Sequence, residues 1–272
     1  MTDVTLEAVL RRDRAFVAAA LLVLVVLAWA YVLWLAADMD MGGMDMTGFR
    51  MIPAGAGLMM ATSAPWQAIE FAFVFAMWAV MMVGMMTPSV APMILLYSRV
   101  GRQAAVERKP FAASAWFAAG YLLLWTGFAF AATLMQWALE RWAWLTPTMA
   151  SASGVLSGIV LIAAGLYQWT PIKDACLRQC QMPLQFIQRH GGFRADAIGS
   201  LWLGVRHGAF CIGCCWMLMA LLFVGGVMNV LWIAAITLFV LLEKLVPAGR
   251  LISRVSGTGY LAAGVWLIAR AL

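Results

Sequence analysis

Seven apolar segments, which are candidates for helices that cross a lipid bilayer, constrain the fold of this chain more than any other feature. A span needs about 20 mostly apolar residues to cross the hydrocarbon core. The segments are 16–36, 67–97, 111–139, 152–169, 199–223, 227–245 and 257–271. The sequence therefore predicts an all-α, polytopic transmembrane helix bundle of about seven spans, forming a single domain over residues 1–272.

Composition agrees with a chain that lies in a lipid bilayer. Hydrophobic residues make up 65% of the chain and charged residues 11%, whereas a soluble domain has about 45–50% and about 25%. The formal charge of +6 does not indicate nucleic acid binding, because Lys and Arg mark the cytoplasmic loops of membrane proteins.

The basic residues also predict an orientation. Fourteen of the 18 Lys and Arg residues fall in the N-terminal segment and at or after the ends of the second, fourth and sixth segments. Arg50, Arg141 and the terminal Arg270 fall on the other side, and Arg206 lies within the fifth segment. By the positive-inside rule, we expect a cytoplasmic N-terminus and a multi-pass protein of the plasma membrane.

Two connections are long. Residues 38–66 form a predicted Met-rich outer loop with MDMGGMDM at 39–46, which is typical either of a segment that collects Cu(I) or of a flexible loop. Residues 170–198 form a predicted basic inner loop that contains Cys176 and Cys180, and this segment is expected to include a short helix on or dipping into the membrane.

Three of the five cysteines lie in CIGCCWMLM at 211–219. Positions i, i+3 and i+4 share one face of a helix, so Cys211, Cys214 and Cys215 should lie together, with His207 one turn before them. Soft sulfur ligands select Cu(I) or Zn, and neutral imidazole binds the same ions. Free Cys is also a common buried apolar residue, so a packing role is the alternative.

Two further groups carry sulfur. The segment MWAVMMVGMMTPSVAPM at 77–93 contains Met81, Met82, Met85 and Met86, which could supply thioethers at the depth of CIGCC or simply fill gaps between helices. Cys176 and Cys180 share a helix face and could complete a metal site, or could be two unreactive reduced thiols.

Glu70 and the pair Glu243-Lys244 lie inside or near spans, and we expect them to be interfacial charges or a local ion pair. The sequence contains no P-loop, GxSxG or HExxH motif and only two histidines. These absences disfavour ATP-driven transport by this chain alone and His-rich metal enzymes.

The chain resembles a bacterial family of integral membrane proteins that are predicted to bind metal and have no established reaction. The matching pieces are the Met-rich segment above, GYLLLWTGFAFAATLMQWAL at 120–139, GLYQWTPIKDACLRQCQMPLQF at 165–186, HGAFCIGCCWMLMALLFVGGVMN at 207–229 and EK at 243–244. The resemblance implies a metal site and points to the ten residues Met81, Met82, Met85, Met86, Cys176, Cys180, His207, Cys211, Cys214 and Cys215.

Three functions fit these observations. The first is a membrane protein that binds a soft metal ion, Cu(I) before zinc, for transfer, efflux or storage, with a metal chaperone or other membrane proteins as partners. The second is a membrane thiol oxidoreductase that uses Cys211 and Cys214, or Cys176 and Cys180, and a quinone. The third is a non-catalytic assembly subunit in which these residues only pack helices.

Overall fold

The computed structural model describes residues 2–39, 49–54, 59–61, 64–106, 113–146 and 149–272, with side chains from residue 15 onward and without those of 102–106. Its elements, in chain order, are α1 Thr2–Asp38, β1 Phe49–Met51, β2 Met59–Ala61, α2 Ala68–Val106, α3 Ser114–Arg141, α4 Gly154–Gln168, α5 Pro171–Gln181, α6 Pro183–Arg189, α7 Ala197–Ala220, α8 Leu222–Gly225, α9 Val230–Leu245 and α10 Gly249–Ala271. The described residues are therefore almost entirely helical, as the sequence predicts.

Five helices in the described part of the chain are long and apolar enough to cross a membrane. They lie at Ala15–Asp38, Ala68–Gly101, Ser114–Arg141, Ala197–Gly225 and Gly249–Ala271. Helices α4 and α5 together form a further candidate, bent by 67° at their junction. Helix α9 has only 16 residues, so the predicted number of about seven spans stays a prediction.

Short polar side chains begin the helices around the site. Thr170 accepts a hydrogen bond from the backbone N–H of Lys173, and Pro171 occupies the first turn of α5. Asp196 begins α7 in the same way by accepting from Gly199 N–H at 2.6 Å. Such caps satisfy backbone donors that have no partner within the helix. The bend at Thr170 turns α5 back against α7.

Glycines allow two helix pairs to approach closely. In the α3–α7 pair, a Cβ at Gly120 would overlap the carbonyl of Leu201, and one at Gly204 would overlap the carbonyl of Phe117. In the α4–α10 pair, a Cβ at Gly158 would lie 2.7 Å from the oxygen of Gly264, and the reverse distance is also 2.7 Å. Small residues at such crossings are typical of membrane helix pairs. The first crossing sets the position of the helix that carries CIGCC.

A short antiparallel pair of strands, β1 and β2, packs at the start of α2. Arg50 of β1 makes a two-point ion pair with Glu70, with Nε–Oε1 at 2.5 Å and Nη2–Oε2 at 2.9 Å. This hydrogen-bonded pair raises the pKa of the Arg50 guanidinium. Glu70 is 2% exposed, so it is a buried partner in a long-range pair rather than an interfacial charge.

Candidate metal centre

The inner face of α7 carries the three cysteines of CIGCC. Cys211, Cys214 and Cys215 are buried, as are His207 one turn earlier and Met219 one turn later. The thiols of Cys214 and Cys215 donate to the carbonyl of Cys211 at 3.1 and 2.9 Å. These contacts gather three sulfur atoms within about one turn of helix, which rises about 5.4 Å.

Helix α5 adds a fourth sulfur to this face. The Sγ atom of Cys180 lies 4.0 Å from the Sγ atom of Cys214. Cys176, one turn earlier, packs its sulfur against Gly213, where a Cβ would come within 2.8 Å of it. All five cysteines are free thiols, and the two on α5 are only partly buried. The thiols of α5 therefore lie between those of α7 and the surface of the bundle.

A buried lysine contacts the thiol cluster from α9. The Nζ atom of Lys244 lies 2.9 Å from the Sγ atom of Cys211 and 3.3 Å from the Oγ atom of Ser89 on α2. The residue is 5% exposed. A buried ammonium group is costly unless an opposite charge or strong hydrogen-bond acceptors compensate it. Because this ammonium group lies beside the sulfur of Cys211, it would stabilise a negative charge on that sulfur.

Tyr121 links the cysteines to the methionine helix. Its hydroxyl lies 3.0 Å from the Sγ atom of Cys211 and donates to the carbonyl of Met86 at 3.2 Å. The predicted thioether residues Met81, Met82, Met85 and Met86 are all buried in α2. The structure thus places the thiols and the Met-rich helix on two sides of one tyrosine.

His207 lies among aromatic rings rather than polar groups. Its ring centroid is 4.9 Å from that of Phe186 and 5.9 Å from those of Phe117 and Tyr121. Its Nδ1 atom is buried and makes no hydrogen bond to the part of the chain that the structure describes. A buried nitrogen without a hydrogen-bond partner is unusual, and the nitrogen of a neutral imidazole can bind a metal ion.

Glu243 and Lys244 do not form the local pair that the sequence suggests. The carboxylate of Glu243 instead binds Lys173, with Nζ–Oε2 at 2.8 Å, and accepts from Ser253 at 2.7 Å. Gln168 contacts the same ammonium group and the same carboxylate. Consecutive residues of a helix point in different directions, so Glu243 joins α4, α5 and α10 while Lys244 faces the cysteines.

Sequence reasoning missed Lys244, Tyr121 and Ser89 as parts of the site. A signal existed for Lys244, because an ionisable residue in an apolar segment is usually functional. Tyr121 and Ser89 carried no comparable signal. The methionines at 41, 44 and 46 of the predicted outer loop lie outside the described residues, whereas Met39 is buried at the end of α1.

The thiols are not preassembled as a multidentate site. Within the described ranges, no three His, Cys, Asp or Glu side chains are arranged to hold a metal ion. Two soft ligands suffice for Cu(I), and thiolates are the ligands that it prefers. The arrangement can therefore hold such an ion between two sulfurs, with small rotations of the side chains that now bond to the Cys211 carbonyl.

Comparison with known proteins agrees with copper chemistry. A family model described as PpoB2 copper chaperone matches residues 75–267, which include every cysteine of the chain. No curated protein and no solved structure matches the chain significantly. Because the family model covers more than half of the sequence, the chain belongs to the PpoB2 copper chaperone family.

Proposed function

We propose that the protein binds Cu(I) between α5 and α7, with Cys180 and Cys214 as the first pair of ligands. The observation that carries this proposal is the 4.0 Å separation of their sulfur atoms. Metal–thiolate bonds are about 2.3 Å long, so two sulfurs on one ion lie at most about 4.6 Å apart. Cys211 and Cys215 stand within a turn as further ligands.

Lys244 supports a thiolate site for a monovalent ion. Two thiolates and one Cu(I) ion carry a net charge of −1, which is costly in a low-dielectric interior. The ammonium group of Lys244, 2.9 Å from the Cys211 sulfur, would neutralise that charge. A Zn²⁺ ion with two thiolates is already neutral, so the lysine favours Cu(I) over Zn²⁺.

The role would be metal handling rather than catalysis. Cys176 and Cys180 would take the ion from the cytoplasmic side, and the cluster of Cys211, Cys214 and Cys215 would hold it. His207 and the methionines Met81, Met82, Met85 and Met86 would offer weaker ligands toward the outer Met-rich loop. Ligands graded from thiolate to thioether let the ion exchange. The protein would reside in the bacterial plasma membrane with its N-terminus inside.

The direct test is metal content by mass spectrometry. The protein is purified anaerobically in detergent after growth with copper and zinc. We expect stoichiometric copper in the wild type and none in the Cys211→Ser, Cys214→Ser, Cys215→Ser variant, because the main ligands are gone.

The matched control is Cys176→Ser, which removes one thiol outside the Cys180–Cys214 pair. We expect it to keep its copper at equilibrium. Folded wild-type protein without copper would contradict the proposal. If it held no zinc either, thiol redox chemistry or a role in helix packing would be the better interpretation.

A further inference from the structure

Two adjoining cavities lie beside the thiol cluster, where α5 and α9 end and α10 begins. The larger has a volume of about 590 Å³, and its lining includes Gln181, Lys244, Arg250 and Arg254. The smaller has a volume of about 400 Å³ and shares Met182 and Arg250 with the larger. We call the two cavities together the vestibule. Sites for small ligands typically have volumes of about 300–1,000 Å³.

The vestibule is strongly basic. Its cationic lining residues are Arg178, Arg189, Lys244, Arg250 and Arg254. Among the described residues that line it, none is Asp or Glu. Asp174 lies 3.7 Å from the exposed Arg254 in an ion pair but lines neither cavity. A concave surface of one sign concentrates ligands of the opposite sign, so the vestibule fits an anion.

The vestibule adjoins the thiol cluster through one shared residue. Lys244 lines the larger cavity and contacts the Cys211 sulfur at 2.9 Å. Gln179, which precedes Cys180 in α5, lines the smaller cavity, and Gln181, which follows it, lines the larger. Met182, which is 43% exposed, places a thioether in the wall that both cavities share. An anion bound here would lie next to soft metal ligands.

We propose that the vestibule binds Cu(I) as an anionic complex with small, carboxylate-bearing thiols, and that the ion passes from this complex to Cys180. This inference rests on the proposed copper-binding function and names its donor. A Cu(I) ion with two thiolates is an anion, and each carboxylate adds charge that the arginines can bind with two hydrogen bonds. The arginines of the vestibule would not attract a neutral or cationic copper complex.

The transfer is a ligand exchange without electron transfer. A bond between copper and a donor sulfur breaks while a bond between copper and the Cys180 sulfur forms. The proton of the Cys180 thiol goes to the departing thiolate, and copper stays Cu(I). In a second exchange the remaining bond between copper and the donor breaks, a bond between copper and the Cys214 sulfur forms, and the Cys214 proton goes to the second departing thiolate. Copper is then held by Cys180 and Cys214, whose sulfurs lie 4.0 Å apart.

The test compares two donors on the full-length protein in detergent. One is Cu(I) with glutathione, which carries carboxylates, and the other is Cu(I) with cysteamine, which carries an ammonium group. For the Arg250→Gln, Arg254→Gln variant, we expect transfer from the glutathione complex to slow about tenfold. Transfer from the cysteamine complex should not slow. The matched control is Arg141→Gln, Arg270→Gln, which removes two exposed arginines outside the vestibule.

Equal rates for variant and wild type with the glutathione donor would overturn the proposal, as would equal slowing with both donors. Anionic phospholipid that co-purifies with the wild type and is lost from the variant, with unchanged transfer rates, would assign the vestibule to a lipid headgroup. Copper content is measured on the same samples. If the protein contains copper but the variant shows no difference between the two donors, only the vestibule proposal is contradicted. A wild type without copper contradicts the proposed function itself.

Discussion

Lys173 and Lys244 are both buried, but their ammonium groups have different partners. The comparison distinguishes a lysine that holds helices together from a lysine that faces the candidate metal centre. The ammonium group of Lys173 lies 2.8 Å from a carboxylate oxygen of Glu243 and also contacts Gln168. The ammonium group of Lys244 lies 2.9 Å from the sulfur of Cys211 and 3.3 Å from the hydroxyl of Ser89. One lysine therefore has a permanent counter-charge, and the other faces groups that are neutral unless the thiol loses its proton.

This difference shows how one helix serves two purposes. Glu243 and Lys244 are neighbours in α9, yet the first contacts α5 and α10 while the second contacts α7 and α2. A completed ion pair fixes the relative positions of helices. The positive charge of an ammonium group beside a thiol is fully compensated only when the sulfur is a thiolate, either free or bound to a metal ion. We therefore expect Lys173 to contribute to stability, and we propose that Lys244 contributes to metal binding.

The largest expected effect is on stability, in Glu243→Gln. The change leaves the buried ammonium group of Lys173 without its counter-charge, which costs about 3–5 kcal/mol. The free energy of unfolding in detergent, measured with denaturant, should fall by that amount. Replacing both partners, as Lys173→Met with Glu243→Leu, should recover most of the loss. An unchanged free energy of unfolding in Glu243→Gln would remove the structural role from this pair.

Lys244→Met tests the other side of the comparison. Without the ammonium group, the negative charge of a copper–thiolate complex is not neutralised, so we expect Cu(I) to bind about tenfold more weakly, or about 1.4 kcal/mol. The free energy of unfolding should change less than in Glu243→Gln. Competition with a Cu(I) chelator gives the affinity, and Lys244→Arg, which keeps the charge, is the control. Weaker binding by both variants alike would mean that shape rather than charge matters.

Tyr121→Phe should have a smaller effect. It removes the hydroxyl that contacts the Cys211 sulfur and the Met86 carbonyl, a loss of about 1 kcal/mol. The same chelator competition should show Cu(I) binding weakened several-fold. If affinity stays at the wild-type value, the tyrosine only packs between α2 and α7.

The methionines should contribute least to retention of the ion. Changing Met81, Met82, Met85 and Met86 together to Leu conserves volume in a buried helix, and each change should cost less than about 1.5 kcal/mol. We expect the variant to keep its copper at equilibrium, as measured by mass spectrometry, because the thiols and Lys244 remain. Loss of copper would show that thioethers, rather than the cation and the thiols, hold the ion.

Local periodicity was enough to predict the sulfur-bearing face of α7. The i, i+3, i+4 spacing of Cys211, Cys214 and Cys215 places them together in any regular helix, and the structure buries all three. The same rule places Cys176 and Cys180 on one face of α5 once that segment is helical. Helix content and apolar length followed from composition in the same way.

Contacts across the bundle were beyond such reasoning. Lys244 reaches Cys211 across 33 positions of sequence, and Tyr121 reaches it across 90. These long-range contacts depend on the bend between α4 and α5 and on the close packing of α3 against α7 at their glycines. Neither the bend angle nor the rotation of packed helices follows from hydropathy.

The most direct measurement is X-ray absorption at the copper edge on protein loaded anaerobically with Cu(I). For the wild type we predict only sulfur neighbours, at roughly 2.3 Å as for other metal–thiolate bonds. The Cys180→Ser and Cys214→Ser variants should each lose a sulfur neighbour, while Cys176→Ser should give the wild-type spectrum. Oxygen or nitrogen as the main neighbours, or spectra unchanged in Cys180→Ser and Cys214→Ser, would contradict a copper site between α5 and α7.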